Sequence, residues 1–161
     1  DTYGVTKILN VNIRPAQLED LDTLLAFEQG VIASERPFDQ SLKEENITYY
    51  NLEKLITNEN SHLIVAEYDG ALIASGYALI MNSRPFEKHE YFSYLGFMFV
   101  VPEYRRKGLN KKIIGSLIDW SKRKGIAEVR LDVFDQNESA LLAYEKLGFN
   151  KTLVKMRLDI S

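Results

Sequence analysis

Residues 101–112, VPEYRRKGLNKK, place five basic side chains around Gly108, directly after the apolar run LGFMFVV at 95–101. An apolar β-forming run, a stop at Pro102, a glycine turn and then helical spacing define a strand-to-helix junction. The first N–H groups of such a helix have no intrahelical partner, and its dipole adds partial positive charge there. Gly108 lets the backbone approach a ligand closely, and Arg105, Arg106, Lys107, Lys111 and Lys112 raise the local potential. Two readings remain open on this segment alone: a phosphate-binding turn, or a turn whose charges are only solvated. A nucleotide P-loop is excluded, since GxxxxGK[ST] does not occur, and the dinucleotide motif GxGxxG is absent too.

Around this junction the chain alternates between strand and helix signals. A first strand is expected over 8–14, closed by Pro15. A helix from Leu18 carries Leu21, Leu24, Leu25 and Val31 at helical spacing and breaks at Arg36-Pro37. A second helix is expected from Ser41, with Ser41 and Glu44 in capping-box spacing. Two apolar runs flank the turn dipeptide Asp69-Gly70, which predicts a tight hairpin. A polar loop at 83–90 leads into a long strand over 91–101. Then come a helix over 110–124, a strand over 128–134, a helix over 139–147 and a last strand over 152–160. The order predicts a mixed α+β fold in a single domain spanning 1–161, with an antiparallel front half and a strand–helix–strand unit behind it.

Composition narrows the function. The 161 residues include no cysteine, which excludes thiolate metal sites and cysteine-bound intermediates and suits a cytoplasmic location. The longest apolar run is too short to cross a bilayer, and no signal-peptide pattern is read at the N-terminus. Net charge is −3, but residues 105–124 hold eight bases against one acid, and residues 17–60 hold ten acids against three bases. One basic patch on an acidic chain fits a small polyanion rather than a nucleic acid, and leaves an acidic side for something cationic. His62 and His89 are isolated from each other, so no metal site is expected.

The stretch VVPEYRRKGLNKKIIGSLIDWSKRKG, followed by VRLDVFDQNESALLAYEKLGF, resembles the GNAT superfamily of acetyl-CoA-dependent N-acetyltransferases. The family signature [QR]-x-x-G-x-[GA] matches from Arg105 through Gly108, with Asn110 in place of Gly or Ala. The second element, N-x-x-A-x-x-x-Y-x-x-x-G-F, matches through Asn137, Ala140, Tyr144, Gly148 and Phe149. IRPAQLEDLDTL is similar to the family's first strand and helix. The resemblance implies a central, mostly antiparallel mixed sheet flanked by about four helices. Asn110 places a side chain at the point of closest approach, and only one strand is left after Phe149 where the family often has two.

By this resemblance, the backbone N–H groups of Arg106, Lys107, Gly108, Leu109, Asn110 and Lys111 would cradle the pyrophosphate of acetyl-CoA beside Arg105. Met98 and Val100 would pair with the pantetheine arm as with an added strand. The backbone at Met98 and Phe99 would stabilise the oxyanion. Tyr144 would give a proton to the leaving thiolate; its alternative is core packing with Ala140, Leu141 and Leu147. Asn137 would cap its helix and also bond the pantetheine. The base is least defined. Asp132 matches a carboxylate used by some N-terminal-peptide acetyltransferases, while Glu35, Glu67, His89, Glu90 or a water chain are the alternatives. The expected reaction is direct acetyl transfer, in a ternary complex, to a small-molecule primary amine; the acids of 17–60 are read either as a wall that favours a cationic acceptor or as the solvated faces of two amphipathic helices. A protein N-terminus or lysine as acceptor, or a non-catalytic acyl-CoA-binding module, are the rival readings. Segments 28–50 and 82–92 would shape the acceptor pocket. No nucleic acid or membrane partner is expected, and assembly into a homodimer stays open.

Overall fold

The computed structural model describes residues 10–161. In chain order these form β1 (Asn12–Pro15), a 3-10 turn (Leu18–Asp20), α1 (Leu21–Glu35), α2 (Leu52–Thr57), β2 (Ser61–Tyr68) and β3 (Ala71–Asn82). There follow β4 (Tyr91–Val100), a 3-10 turn (Pro102–Tyr104), α3 (Leu109–Arg123), β5 (Val129–Arg130) and α4 (Glu138–Lys146). The five strands form one sheet in the order β1-β2-β3-β4-β5, antiparallel except for the parallel pair β4–β5. This is the mixed α+β architecture that the element order predicts.

Strand alternation sorts the side chains into two layers. Leu63 and Val65 face α1 and α2 together with Leu24, Phe27, Val31 and Leu52. Ile64 and Ala66 face α3, against Ile113, Ile114, Leu117 and Trp120. The hairpin turn is as expected: Asp69 (φ +52°) and Gly70 (φ +78°) both take the left-handed backbone that a type I′ turn requires. Leu25, counted on the inward face of α1, is instead exposed.

Four sequence expectations need correction. The first strand begins at Asn12 and includes Pro15, which sits at the sheet edge opposite Ile64; positions 8 and 9 lie outside the described residues. An edge strand tolerates proline because its outer N–H has no ladder partner to lose.

The helix expected from Ser41 is confined to Leu52–Thr57, and its cap is Asn51, whose Oδ1 accepts from the Lys54 N–H at 3.1 Å. Ser41 turns back on Asp39 instead, its N–H donating to Oδ1 at 3.0 Å. The cause is tertiary. The Tyr49 and Tyr50 N–H groups donate at 2.9 and 2.8 Å to the buried Glu28 carboxylate, so they are not available to helical i−4 carbonyls.

The strand expected over 128–134 shortens to Val129–Arg130, and the one expected over 152–160 is absent. With only two residues of β5 paired, the sheet edge offers that alternating segment almost no ladder. Its side chains stay exposed, and it is tied by ion pairs such as Arg157–Asp39 at 3.0 Å.

Candidate active site

The parallel pairing of β5 with β4 stops at Tyr94↔Arg130, whereas β4 runs on to Val100. Beyond Tyr94 the two strands part and leave one edge of β4 without a ladder partner. The parting coincides with a bulge: the β3–β4 register shifts between Ser75 and Tyr77, and Phe97 adopts φ +57°. Left-handed backbone is costly for a bulky residue, so it needs support from its surroundings. Ser75 Oγ donates to the Phe97 carbonyl at 3.0 Å within the core, and the Tyr50 ring packs on Phe97 at 4.9 Å. Past the bulge, the Val101 N–H bonds Ile73 O at 2.9 Å. Alternation from that point turns the backbone of Met98 and Val100 toward the open edge.

The basic turn lies at the end of this strand. Arg106 (φ +63°) and Gly108 (φ +77°) are both left-handed, and the first helical bond of α3 runs from Lys112 N–H to Gly108 O at 3.2 Å. The N–H groups of the preceding residues are the orphan donors of the helix start. A Cβ built on Gly108 would meet nothing within 4 Å, so open space lies over the turn. Arg105 has a bracing role that the sequence does not reveal: its Nε donates to Val100 O at 3.0 Å and its guanidinium lies 5.9 Å from the Phe99 ring centroid.

Between strand and turn lies a cleft of about 390 Å³. Met98, Phe99 and Val100 form one wall, Arg105, Arg106, Gly108, Leu109 and Asn110 the end, and Tyr144 of α4 reaches it from the side. Lys107, Lys111 and Asn137 lie off these walls. Asn137 acts through α4, capping it with Oδ1 on the Ala140 N–H at 3.3 Å and so setting where Tyr144 projects. Burial raises the Tyr144 phenol above its ordinary pKa, a side-chain hydrogen bond with Asn110 pulls it back, and the charge of Glu35 adds to the rise. A phenol held protonated and facing a cleft is a proton donor in waiting.

On the other side of the bulge, outside the lining of this cleft, lies a cluster of tyrosines. Tyr49 and Tyr50 meet edge to face at 5.7 Å, Tyr50 meets Tyr77 at 5.7 Å, and Tyr77 meets Tyr94 at 6.5 Å. Tyr94 donates its hydroxyl to Asp132 Oδ2 at 3.0 Å. Burial, followed by the charge of Asp132, pushes the Tyr77 phenol up to about 12. Glu35, at the end of α1, has its carboxyl raised by burial, countered by a hydrogen bond from Tyr49 and raised further by Asp39. Helical spacing from Ser41 onward masks Tyr49 and Tyr50 in the sequence, and the doublet itself is the one local sign of this cluster.

The other candidates for a base lie elsewhere. Glu67 is paired with Arg14 at 2.9 Å on β2, and His89 and Glu90 precede β4 at the end opposite the bulge. Of the ten acids in 17–60, Asp20 is paired with Arg14, Asp39 with Arg157, and Glu28 is buried. The carboxylates beside the tyrosine cluster are Glu35, next to Tyr49, and Asp132, bonded by Tyr94. Among the described residues no three His, Asp or Glu side chains gather as a metal site. His62 stacks on Trp120 at 5.3 Å, away from the cleft.

A strand splayed at a bulge, a glycine helix start and a cleft phenol together define an acyl-CoA fold, and sequence comparison agrees. The profile of the acetyltransferase (GNAT) family matches residues 21–149. The chain belongs to that family. It is 38% identical over 56 residues to the [ribosomal protein bS18]-alanine N-acetyltransferase of Escherichia coli (strain K12), covering 35% of this chain and 38% of that one. It is 43% identical over 61 residues to the glucosamine 6-phosphate N-acetyltransferase of Trypanosoma brucei brucei, covering 38% of this chain and 40% of that one. The matches thus span about two fifths of these relatives. In fold, the chain is similar to a predicted acetyltransferase from Clostridium acetobutylicum, solved with acetyl-CoA, with a TM-score of 0.73 and 22% identity over 93% of this chain and 96% of the other. It is also similar to a tetramutant of the BH1408 protein from Bacillus halodurans, with a TM-score of 0.81 and 19% identity over 92% and 99% of the two chains.

Acetyl-CoA is the acetyl donor of this family, and the residues present fit it. The orphan N–H groups and Arg106 surround open space above Gly108, and an unpaired strand edge leads from there toward Tyr144.

Proposed function

We propose that the chain is a single acetyltransferase domain that moves acetyl directly from acetyl-CoA to a primary amine of a small molecule, in the cytoplasm. One observation carries the reading: the Gly108 helix start, the free edge of β4 and the Tyr144 phenol line the same cleft. Acetyl-CoA supplies the activated acyl group as a thioester. The first-turn N–H groups of α3 hold phosphate, and the backbone of Met98 and Val100 guides the arm. The Met98 N–H stands where it can stabilise an oxyanion, and Tyr144 holds at Oη the proton that a leaving thiolate needs. Asp132, bonded by Tyr94, and Glu35, bonded by Tyr49, are the carboxylates placed to receive an ammonium and its proton.

The phenol in the cleft argues against a module that merely binds acyl-CoA. The local identity to an enzyme acting on a protein alanine favours, as second reading, a peptide α-amine as acceptor. An acceptor panel decides between them: spermidine, glucosamine 6-phosphate, S-aminoethylcysteine and a peptide with N-terminal alanine, each assayed for CoA thiol release. Release with a small amine supports the proposal. Release with the peptide alone replaces it by the second reading, and binding without release to any amine replaces it by the module.

A further inference from the structure

Glu28 lies in the middle of α1 with no solvent exposure, among Leu24, Phe27, Val31 and Ile32. A carboxylate placed so deep is costly unless it is hydrogen-bonded. Its Oε2 accepts from both the Tyr49 and the Tyr50 N–H, at 2.9 and 2.8 Å, while Oε1 has no protein partner. All the hydrogen bonding it makes therefore serves one extended segment outside any helix or strand. That segment is joined to α1 once more, where Gln29 Nε2 donates to Ile47 O at 3.0 Å.

The two residues Glu28 holds pack at the bulge and at the end of α1. The Tyr50 ring covers Phe97, the left-handed residue of the β4 bulge, and Tyr49 lies close enough to Glu35 to lower its carboxyl pKa against the rise that burial causes. Phe97 directly precedes Met98, whose N–H faces the open edge. A carboxylate in α1 thus supports, through Tyr50 and Tyr49, both the bulge at Phe97 and the surroundings of Glu35, without touching either.

We propose that Glu28 is a positioning residue for acetyl transfer: its buried carboxylate clamps the Tyr49–Tyr50 backbone and so builds the acceptor wall. This rests on the acetyltransferase reading above. The donor phosphates would be held by the start of α3, which packs on the other face of the sheet from α1, so loss of the clamp would affect the amine and not the donor. Glu28→Leu removes both acceptor lone pairs, whereas Glu28→Gln keeps a carbonyl that accepts from the same N–H groups, uncharged and so more weakly.

The test joins hydrogen exchange with steady-state kinetics. In the wild-type protein the Tyr49 and Tyr50 amides should exchange as slowly as core strand amides, although they lie outside any helix or strand. Glu28→Leu should release them and raise KM for the amine the wild type acetylates best by about tenfold or more, the scale expected when a reacting group is misplaced. Acetyl-CoA affinity by calorimetry should stay within about twofold, since its phosphate contacts are untouched. Glu28→Gln should fall between the two proteins in both readouts. Fast exchange of these amides in the wild type overturns the clamp, whether or not the Leu variant folds. Unchanged amine KM once the amides are released, or equal losses for amine and acetyl-CoA, overturns the positioning role. If the wild type acetylates no amine, the acetyltransferase reading falls, and amide exchange still decides whether Glu28 clamps the segment.

Discussion

Asn110 and Tyr144 line the same cleft, where the Asn110 side chain holds the Tyr144 phenol pKa down against the rise that burial causes. Asn110 is the residue that departs from the Gly or Ala of the signature, so the departure touches the phenol rather than only loosening the turn. A donor directed at the phenol oxygen favours the phenolate and lowers the pKa, against the rise that burial causes. With Tyr144 as the proposed proton donor, transfer would need the protonated phenol, and the Tyr144 pKa should set the alkaline limb of the kcat profile. Asn110→Ala should move that limb to higher pH and leave acetyl-CoA affinity intact. An unmoved limb, or weakened donor binding, would show that Asn110 acts on the turn instead.

Gly108→Asp should abolish acetyl-CoA binding. The residue sits at φ +77°, where a side chain is strained, and the new carboxylate would face the phosphates. Wild-type binding should itself weaken from low to high salt, because part of the attraction is screened at about 10 Å in 0.1 M salt. Calorimetry of both proteins measures this. Full affinity in a folded Gly108→Asp protein would place the donor elsewhere.

Acceptor charge preference should come from Glu35 and Asp132 rather than from exposed helix acids such as Glu53. At low salt, a diamine should show a higher kcat/KM than a monoamine of equal length, and Glu35→Gln should shrink the gap while Glu53→Gln leaves it. Equal values for the two amines at low salt would leave both carboxylates without a part in selection.

His62, stacked on Trp120, has its pKa lowered by burial first and by Arg123 and Lys124 next. Its folded pKa lies below the unfolded value, so the unfolded state binds the proton more readily. The penalty is absent above about pH 6.5, the unfolded value, and grows as pH falls through it toward the folded pKa. His62→Phe keeps an aromatic stack and should flatten the loss of thermal stability between neutral and mildly acidic pH. An unaltered slope would assign the acid sensitivity to other groups.

The parts of the site legible in the sequence are those built by neighbours in the chain. Gly108 and Arg106 make a turn locally, and Asn137 caps the helix that carries Tyr144, so both motifs speak through short-range geometry. What stayed hidden depends on distant partners. The Ser41 capping box lost to Glu28, which takes the Tyr49 and Tyr50 N–H groups from another helix. The bulge at Phe97 needs Ser75 and Tyr50 to hold it, and nothing in LGFMFVV alone marks where β4 leaves β5. The alternation at 152–160 was a true strand pattern, but the short β5 offers it no ladder.

If this cleft catalyses transfer rather than merely holding acyl-CoA, the Tyr144 hydroxyl is the group that turnover should depend on. Tyr144→Phe keeps the ring in its contacts with Phe149 and the core and removes only the hydroxyl. The deciding measurement is kcat and acetyl-CoA affinity for this variant beside the wild type, with the amine the panel selects. Affinity should be unchanged and kcat should fall about 10²-fold or more, the scale of a lost general acid. Wild-type turnover by Tyr144→Phe would contradict the account and leave Tyr144 as packing.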